Sequence, residues 1–283
     1  MAATRRGVSV GPPVTEPAFG LTSKATAVTG RLDLWLTACS DCNGDLLEHY
    51  RSLLSDEELR RESRFVFARD RRRYLVTRAL VRTVLSRYGP TPPAAWRFTT
   101  NPYGRPDVDN NGDPERALSF NLAHTSEMVL LGVTHGGPIG VDIEDVRHER
   151  APLDVANHFF AANEVASLNA LPPAARPERF FAYWTLKESY IKARGMGLSI
   201  PLDSFAFDLA DADMRIGFSR RGPSIDDDAR DWRFWQIIPA PGHLAAVCVA
   251  CDTETAPTVS LRKVIPLSAD QPLRCPLLRQ TSP

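Results

Sequence analysis

The residues best placed to do chemistry are acids and amines held at fixed spacing. In Trp184-Thr185-Leu186-Lys187-Glu188-Ser189-Tyr190-Ile191-Lys192, the helical repeat puts Trp184, Glu188 and Lys192 on one face, with Lys187 on its flank. An ordinary amphipathic helix would carry leucine or valine there; the plain alternative is a solvated Glu–Lys pair that adds little. A second acidic pair lies in Ile139-Gly140-Val141-Asp142-Ile143-Glu144. Strand alternation sends Asp142 and Glu144 to one face and Val141 and Ile143 to the other. Adjacent carboxylates raise each other's pKa unless a cation lies between them. Hard oxygens of this kind, with phosphate and water, suit Mg²⁺; acids that only guard a sheet edge are the alternative.

Positive charge is concentrated in one segment. Arg60, Arg61, Arg64, Arg69, Arg71, Arg72, Arg73, Arg78, Arg82 and Arg87 occur without a lysine among them. Arginine suits planar, bidentate phosphate recognition. The partner is then a nucleic-acid backbone or a small polyphosphate metabolite, with a solvated basic face as the bland case. Nucleic-acid binders usually spread such residues over several elements or carry a reading motif, and neither a Walker A nor a G-x-G-x-x-G sequence is present. Arg105 stands at the tip of an Asn-Pro-Tyr-Gly-Arg-Pro turn. His124 follows a strand end, where a lone histidine is by itself most often a structural hydrogen-bonder.

These residues need elements to hold them. Strands are expected at 31–37, 118–122, 129–133, 139–144 and 204–209, with an antiparallel pair at 232–238 and 243–251. A capping box, Ser55 with Glu58, starts one helix. Val76, Leu80 and Val84 mark the buried face of the arginine-rich helix that Gly89-Pro90 ends. Further helices are expected at 157–168 and 178–194, the latter closed by glycines. The chain has 283 residues, 43% of them hydrophobic, and no net charge; that fits one large or two ordinary domains and excludes wholesale disorder. No apolar run reaches the ~20 residues of a membrane helix, and a secretory h-region is missing. Five cysteines, an odd count, fit a reducing cytoplasm. Cys39/Cys42 and Cys248/Cys251 have zinc-like spacing, but Cys248 lies in a strand-like apolar run where cysteine acts as a small hydrophobe. The first residues are Thr/Ser-rich and basic, as in a transit peptide, though a flexible leader is the reading adopted.

Five short motifs in one order resemble the Sfp-type 4′-phosphopantetheinyl transferases. They are F-V-F-A-R-D at Phe65 to Asp70, Y-G-R-P at Tyr103 to Pro106, F-N-L-A-H-T at Phe120 to Thr125, G-V-D-I-E at Gly140 to Glu144, and F-x-x-W-T-L-K-E-S-Y-I-K-A-x-G-x-G-L at Phe181 to Leu198. The resemblance spans roughly Leu32 to Asp252. It implies an α+β fold of two similar halves related by a pseudo-twofold axis, with the active site in the cleft between them. On this basis residues 1–29 are a flexible leader, 30–137 the N-terminal half on the coenzyme A nucleotide side, 138–266 the half with metal site and catalytic helix, and 267–283 a flexible tail. It further implies Mg²⁺-dependent transfer of the 4′-phosphopantetheine arm of coenzyme A to a serine of an apo acyl or peptidyl carrier protein, with release of 3′,5′-ADP.

Carried over by the resemblance, Asp142, Glu144 and Glu188 are metal ligands, Glu188 also the base for the serine, and Lys192 a phosphate contact that stabilises the leaving oxygen. Lys187 adds positive charge nearby. Arg61, Arg69 and Arg73 bind nucleotide phosphates, Arg105 the 3′-phosphate side, and His124 a phosphate oxygen. Ala123 replaces the family's frequent Ser, and Arg105 its common Lys. The protein is expected to be a cytoplasmic monomer with no nucleic-acid or membrane partner. Two rivals remain: a metal-dependent phosphodiesterase or nucleotidyl enzyme, and an arginine-rich nucleic-acid binder, which leaves the three carboxylates unexplained.

Overall fold

Alternating apolar residues build two sheets, and each half of the chain runs through the same order of elements. The computed structural model describes residues 30–109, 118–147, 151–210, 213–218, 227–251 and 256–281. The first half holds β1 (Arg31–Ala38), α1 (Asp45–Ser52), α2 (Asp56–Glu62), α3 (Ala68–Leu85), β2 (Phe98–Thr100), β3 (Pro106–Val108), β4 (Leu118–His124) and β5 (Met128–His135). The second holds β6 (Ile139–Asp145), α4 (Leu153–Phe159), α5 (Ala162–Ala170), α6 (Arg176–Arg194), β7 (Phe205–Ala210), β8 (Asp213–Phe218), β9 (Trp232–Ala240) and β10 (His243–Ala250). One sheet contains the run β1-β5-β4 and the other β6-β10-β9. Strand, long helix, hairpin, then antiparallel pair recurs in both, which gives the two similar α+β halves expected.

Strand alternation decides what lies between the layers. Val141 and Ile143 join Leu34, Leu130, Ile237 and Val247 in a core between the two sheets. The opposite face of the first sheet meets α3 through Val76, Leu80 and Val84, and that of the second meets α6 through Leu186, Tyr190 and Ala193. β4 runs beside β6, where the buried Asn121 Oδ1 accepts from the Val141 N–H at 3.0 Å. The capping box of α2 forms as expected: Glu58 N–H donates to Ser55 Oγ at 3.3 Å, and Ser55 N–H to Glu58 Oε2 at 2.9 Å. The two Cys-x-x-Cys pairs do not meet: Cys39 and Cys42 lie in the α3 core, while Cys248 packs beneath α6.

The C-terminal segment departs from expectation. β11 (Thr258–Ile265) pairs parallel with β1 in the first sheet. Residues 267–283, expected to be a flexible tail, supply β12 (Ala269–Leu273) and β13 (Leu277–Thr281). β12 pairs with β11 in the first sheet, and β13 lies between β9 and β8 in the second. The chain therefore crosses back to the first half and returns, so the boundary at residue 266 does not divide the halves. These strands are half-buried or exposed along their length, with single anchors such as Leu273, Leu278 and the ion-paired Asp270 in place of an alternating apolar face to read. The expected leader lies outside the described residues.

Candidate active site

Close approach of α6 to β6 builds the site. A Cβ on Gly140 would lie 1.9 Å from Ser189 O and 2.4 Å from Ala193 N; only glycine leaves room for the helix. With Val141 and Ile143 committed to the core, Asp142 and Glu144 face α6. Lys192 Nζ donates to Asp142 Oδ1 at 2.6 Å. Trp184 Nε1 donates to Glu144 Oε1 at 3.0 Å, its ring stacked on Phe180 at 5.9 Å. The helical repeat places Glu188 between these two contacts.

Burial makes this cluster avid for positive charge. Burial raises the pKa of Glu188 to about 6, Asp142 adds to the rise, and Lys192 opposes it. Burial likewise holds Asp142 above the usual carboxylate range, against the pull of Lys192. Burial alone would lower Lys192, but Asp142, Glu188 and Glu144 outweigh it and raise its pKa. All three acids act on the Lys192 ammonium, and Asp142 Oδ2 is buried without a hydrogen-bond partner among the described residues. That donor set, all hard oxygen with net negative charge, fits a divalent cation. Among the described residues no three His, Cys, Asp or Glu side chains, Asp142, Glu144 and Glu188 included, are gathered closely enough to hold a metal ion by themselves. Mg²⁺ commonly completes its shell with water and phosphate oxygens instead.

His124, near enough to Lys192 and Asp142 for their charges to act on one another, lines a cavity of about 510 Å³ together with Arg61, Arg73, Arg78, Arg82, Arg97 and Thr100. Desolvation by the surrounding walls lowers the His124 pKa, and the charges on Arg73 and Lys192 lower it further. The arginines differ in what they have left to offer. Arg82 is buried on Glu58 at 2.6 Å and donates to the carbonyls of Pro93 and Trp96. Arg78 also pairs with Glu58. Arg73 pairs with Asp70 at 3.0 Å and stays partly open to the cavity.

Three expected site residues fall elsewhere. Arg69, in the first turn of α3, is exposed and does not line the cavity, although its four-residue spacing puts it on the same helix side as Arg73. Lys187 is fully buried on the opposite side of α6, 2.8 Å from Glu164 and donating to Leu202 O and Phe205 O. Arg105 points into the seam between the halves, its Nη1 on Ala193 O at 3.0 Å and Nη2 on Ile139 O at 3.1 Å. Arg61, Arg73 and His124 share one cavity wall, Asp142 pairs with Lys192, and Glu144 meets α6 at Trp184.

Known proteins decide the family. Residues 138–248 match the model of the 4′-phosphopantetheinyl transferase superfamily, and residues 42–135 that of the 4′-phosphopantetheinyl transferase N-terminal region. The chain is 35% identical over 204 residues to the 4′-phosphopantetheinyl transferase Sfp of Bacillus subtilis, spanning 72% of this chain and 85% of that protein. The chain belongs to the 4′-phosphopantetheinyl transferase family. It is also 29% identical to 4′-phosphopantetheinyl transferase HetI of a Nostoc species over 225 residues, 80% of this chain and 90% of HetI. As a member of this family it transfers phosphopantetheine from coenzyme A to carrier proteins. Among the described residues no helix is long and apolar enough to cross a membrane.

Sequence reasoning about this phosphopantetheinyl transferase missed two features. Arg97, on the cavity wall, sits alone outside the arginine-rich segment; its neighbours Trp96 and Phe98, which also line the cavity, were the available signal. Spacing put Trp184 on the face of Glu188 and Lys192, but its indole N–H on Glu144 needed the β6–α6 contact to be seen.

Proposed function

We propose that this transferase attaches the 4′-phosphopantetheine arm to a carrier-protein serine with Mg²⁺ present and releases 3′,5′-ADP. One observation supports the reading: His124 lines the arginine-bearing cavity and feels the charge of Lys192, which pairs with Asp142 of the acidic cluster. A phosphate-rich donor can lie in the cavity with its diphosphate at the cluster.

Asp142, Glu144 and Glu188 would hold Mg²⁺, which when bound supplies positive charge against the departing diphosphate. Arg61 and Arg73 bind the nucleotide phosphates from the cavity wall. His124 donates a ring N–H to a phosphate oxygen. Lys192, kept charged by the acids around it, contacts the diphosphate and stabilises the leaving oxygen. Glu188, whose pKa burial and Asp142 raise in the ion-free protein, takes the serine proton, directly or through a metal-bound water. The serine oxygen then forms its bond to phosphorus as the bond to the 3′,5′-ADP oxygen breaks. Lys187 and Arg105 have no part among the phosphate ligands.

The test supplies coenzyme A, Mg²⁺ and a panel of apo carrier proteins, and reads a phosphopantetheine mass gain on the carrier serine by intact-protein and peptide mass spectrometry. The expected result is a gain on at least one carrier together with equimolar 3′,5′-ADP. Hydrolysis of other diphosphates with no gain on any carrier would instead make the protein a phosphodiesterase.

A further inference from the structure

The turn at Asn101 to Arg105 belongs to the first half, yet its side chains act on the second. The turn is held by its own backbone, with Gly104 N–H on Asn101 O at 2.9 Å and Asn101 N–H on Arg105 O at 3.0 Å. Asn101 Oδ1 also accepts from Arg105 N–H at 2.9 Å. From this fixed base Asn101 Nδ2 donates to Gly195 O at 2.6 Å, and Arg105 donates to Ala193 O and Ile139 O.

Those three acceptors are special. Ala193 and Gly195 end α6, where Gly195 turns left-handed at φ 66°, and the last carbonyls of a helix have no partner within it. A cation and amide donors there satisfy them and complement the helix dipole. Ile139 is the first residue of β6. The same turn therefore grips the helix that carries Glu188 and Lys192 and the strand that carries Asp142 and Glu144. Contact is tight: a Cβ on Gly195 would come within 2.9 Å of Arg105 Cδ and 3.0 Å of Asn101 Nδ2. Meanwhile Gly104 and Pro106 line the arginine cavity, so the turn touches the donor pocket with its backbone and the catalytic elements with its side chains.

We propose that Asn101 and Arg105 are positioning residues that fix the end of α6 and the start of β6 from across the seam, and that Arg105 does not bind the 3′-phosphate of coenzyme A. The proposal rests on the transfer reading above for its kinetic consequences. A shift of about 1 Å in a reacting group can cost on the order of 100-fold in rate, so loosening this grip should appear in turnover and not in donor recognition.

The experiment compares wild type with Arg105→Met and Asn101→Asp, using coenzyme A and 3′-dephospho-coenzyme A as donors. Asn101→Asp keeps the acceptor that holds the turn and replaces the donor to Gly195 O with a carboxylate oxygen that repels that carbonyl. Both variants should lower kcat by roughly 10- to 100-fold with either donor, leaving the ratio of the two donors' KM values as in wild type. Hydrogen exchange of peptides covering the end of α6 should quicken, and Arg105→Lys should restore part of kcat. A loss confined to coenzyme A, with its KM rising to that of the dephospho donor, would overturn the proposal, as would unchanged kcat. If Arg105→Met fails to fold, Asn101→Asp decides by the same criteria. If wild type transfers to no carrier, the functional reading fails; the grip is then judged alone, by whether exchange at the end of α6 speeds up in Asn101→Asp.

Discussion

Lys187 and Glu188 are neighbours in sequence with opposite fates. One turns toward the cleft; the other is sealed beneath the helix on Glu164, whose second oxygen and backbone neighbours are also engaged. Removing one partner of such a pair leaves a buried charge uncompensated, so Lys187→Met should destabilise the protein by about 3–5 kcal/mol. The double change Lys187→Met with Glu164→Gln should recover part of that loss in urea melts; no recovery would mean the pair is not the source. For Glu188 the sign runs the other way. In ion-free protein its pKa rises from 4.5 to about 6, so the folded state holds its proton more tightly than the unfolded state. The contribution to stability is intact below about 4.5 and is lost as pH rises through 6, a cost of about 2 kcal/mol above that at roughly 1.4 kcal/mol per pH unit. Glu188→Gln should therefore melt higher than wild type at pH 8, equal to it near pH 4, and transfer nothing. A variant that melted lower at pH 8, or kept near wild-type transfer, would contradict this assignment. Residue types and spacing were enough to single out Glu188, Lys192, Asp142 and Glu144. They were not enough to place Lys187, because both sides of α6 are covered and periodicity does not say which covering is protein.

At the scale of elements, function depends on how closely one helix lies on one strand. The alternation of 139–144 and the helical stripe at 178–194 were legible, and the observed bounds, Ile139–Asp145 and Arg176–Arg194, agree closely. What the stripe could not reveal was the contact distance, which Gly140 sets. Gly140→Ala would drive a Cβ into Ser189 O and Ala193 N, both backbone atoms that no rotamer change can move. Overpacking of this kind costs about 1–3 kcal/mol, and the helix must retreat from β6 to relieve it. The expected outcome is a lower melting temperature together with loss of transfer greater than the loss of folded protein, measured by circular dichroism and carrier mass gain on the same sample. Retained transfer would show that close contact is not required. α3 teaches a different limit. Its arginine stripe read as a phosphate comb, yet Arg78 and Arg82 are spent on Glu58 and Arg71 donates to Phe65 O. A guanidinium's partner is a tertiary fact, and Glu58 was visible in sequence only as a capping residue.

At the scale of the molecule, the two halves were recognisable because each carries its own motifs, but what ties them together was not. Pairing by half-exposed strands leaves little trace in composition, and β12 and β13 are of that kind, whereas β11 also buries Leu261 and Val264. β11 and β12 extend the first sheet at β1, and β13 fills the gap between β9 and β8, so among the described residues the β7-β8 hairpin pairs into its sheet through the C-terminal strand. Side chains add to the stitching: Tyr50 donates to Pro266 O at 3.0 Å, and Phe234 N–H donates to Thr281 Oγ1 at 3.1 Å. Ending the chain at Ile265 would bare the edges of β11, β9 and β8 and leave the floor under α6 incomplete, since Phe205 and Phe207 of β7 pack against that helix's core. Bared edges invite intermolecular pairing, and a loss of several kcal/mol in a chain of this size lowers the melting temperature by roughly 10 °C. The truncated protein should melt lower by about that much, aggregate on warming, and lose transfer, with early proteolytic cuts in the segment from β7 to β8. A truncated protein that melts within a few degrees of wild type and still loads its carrier would show that the C-terminal strands decorate the fold without holding it, and that α6 is fixed by β6, β10 and the turn at Asn101 to Arg105 alone.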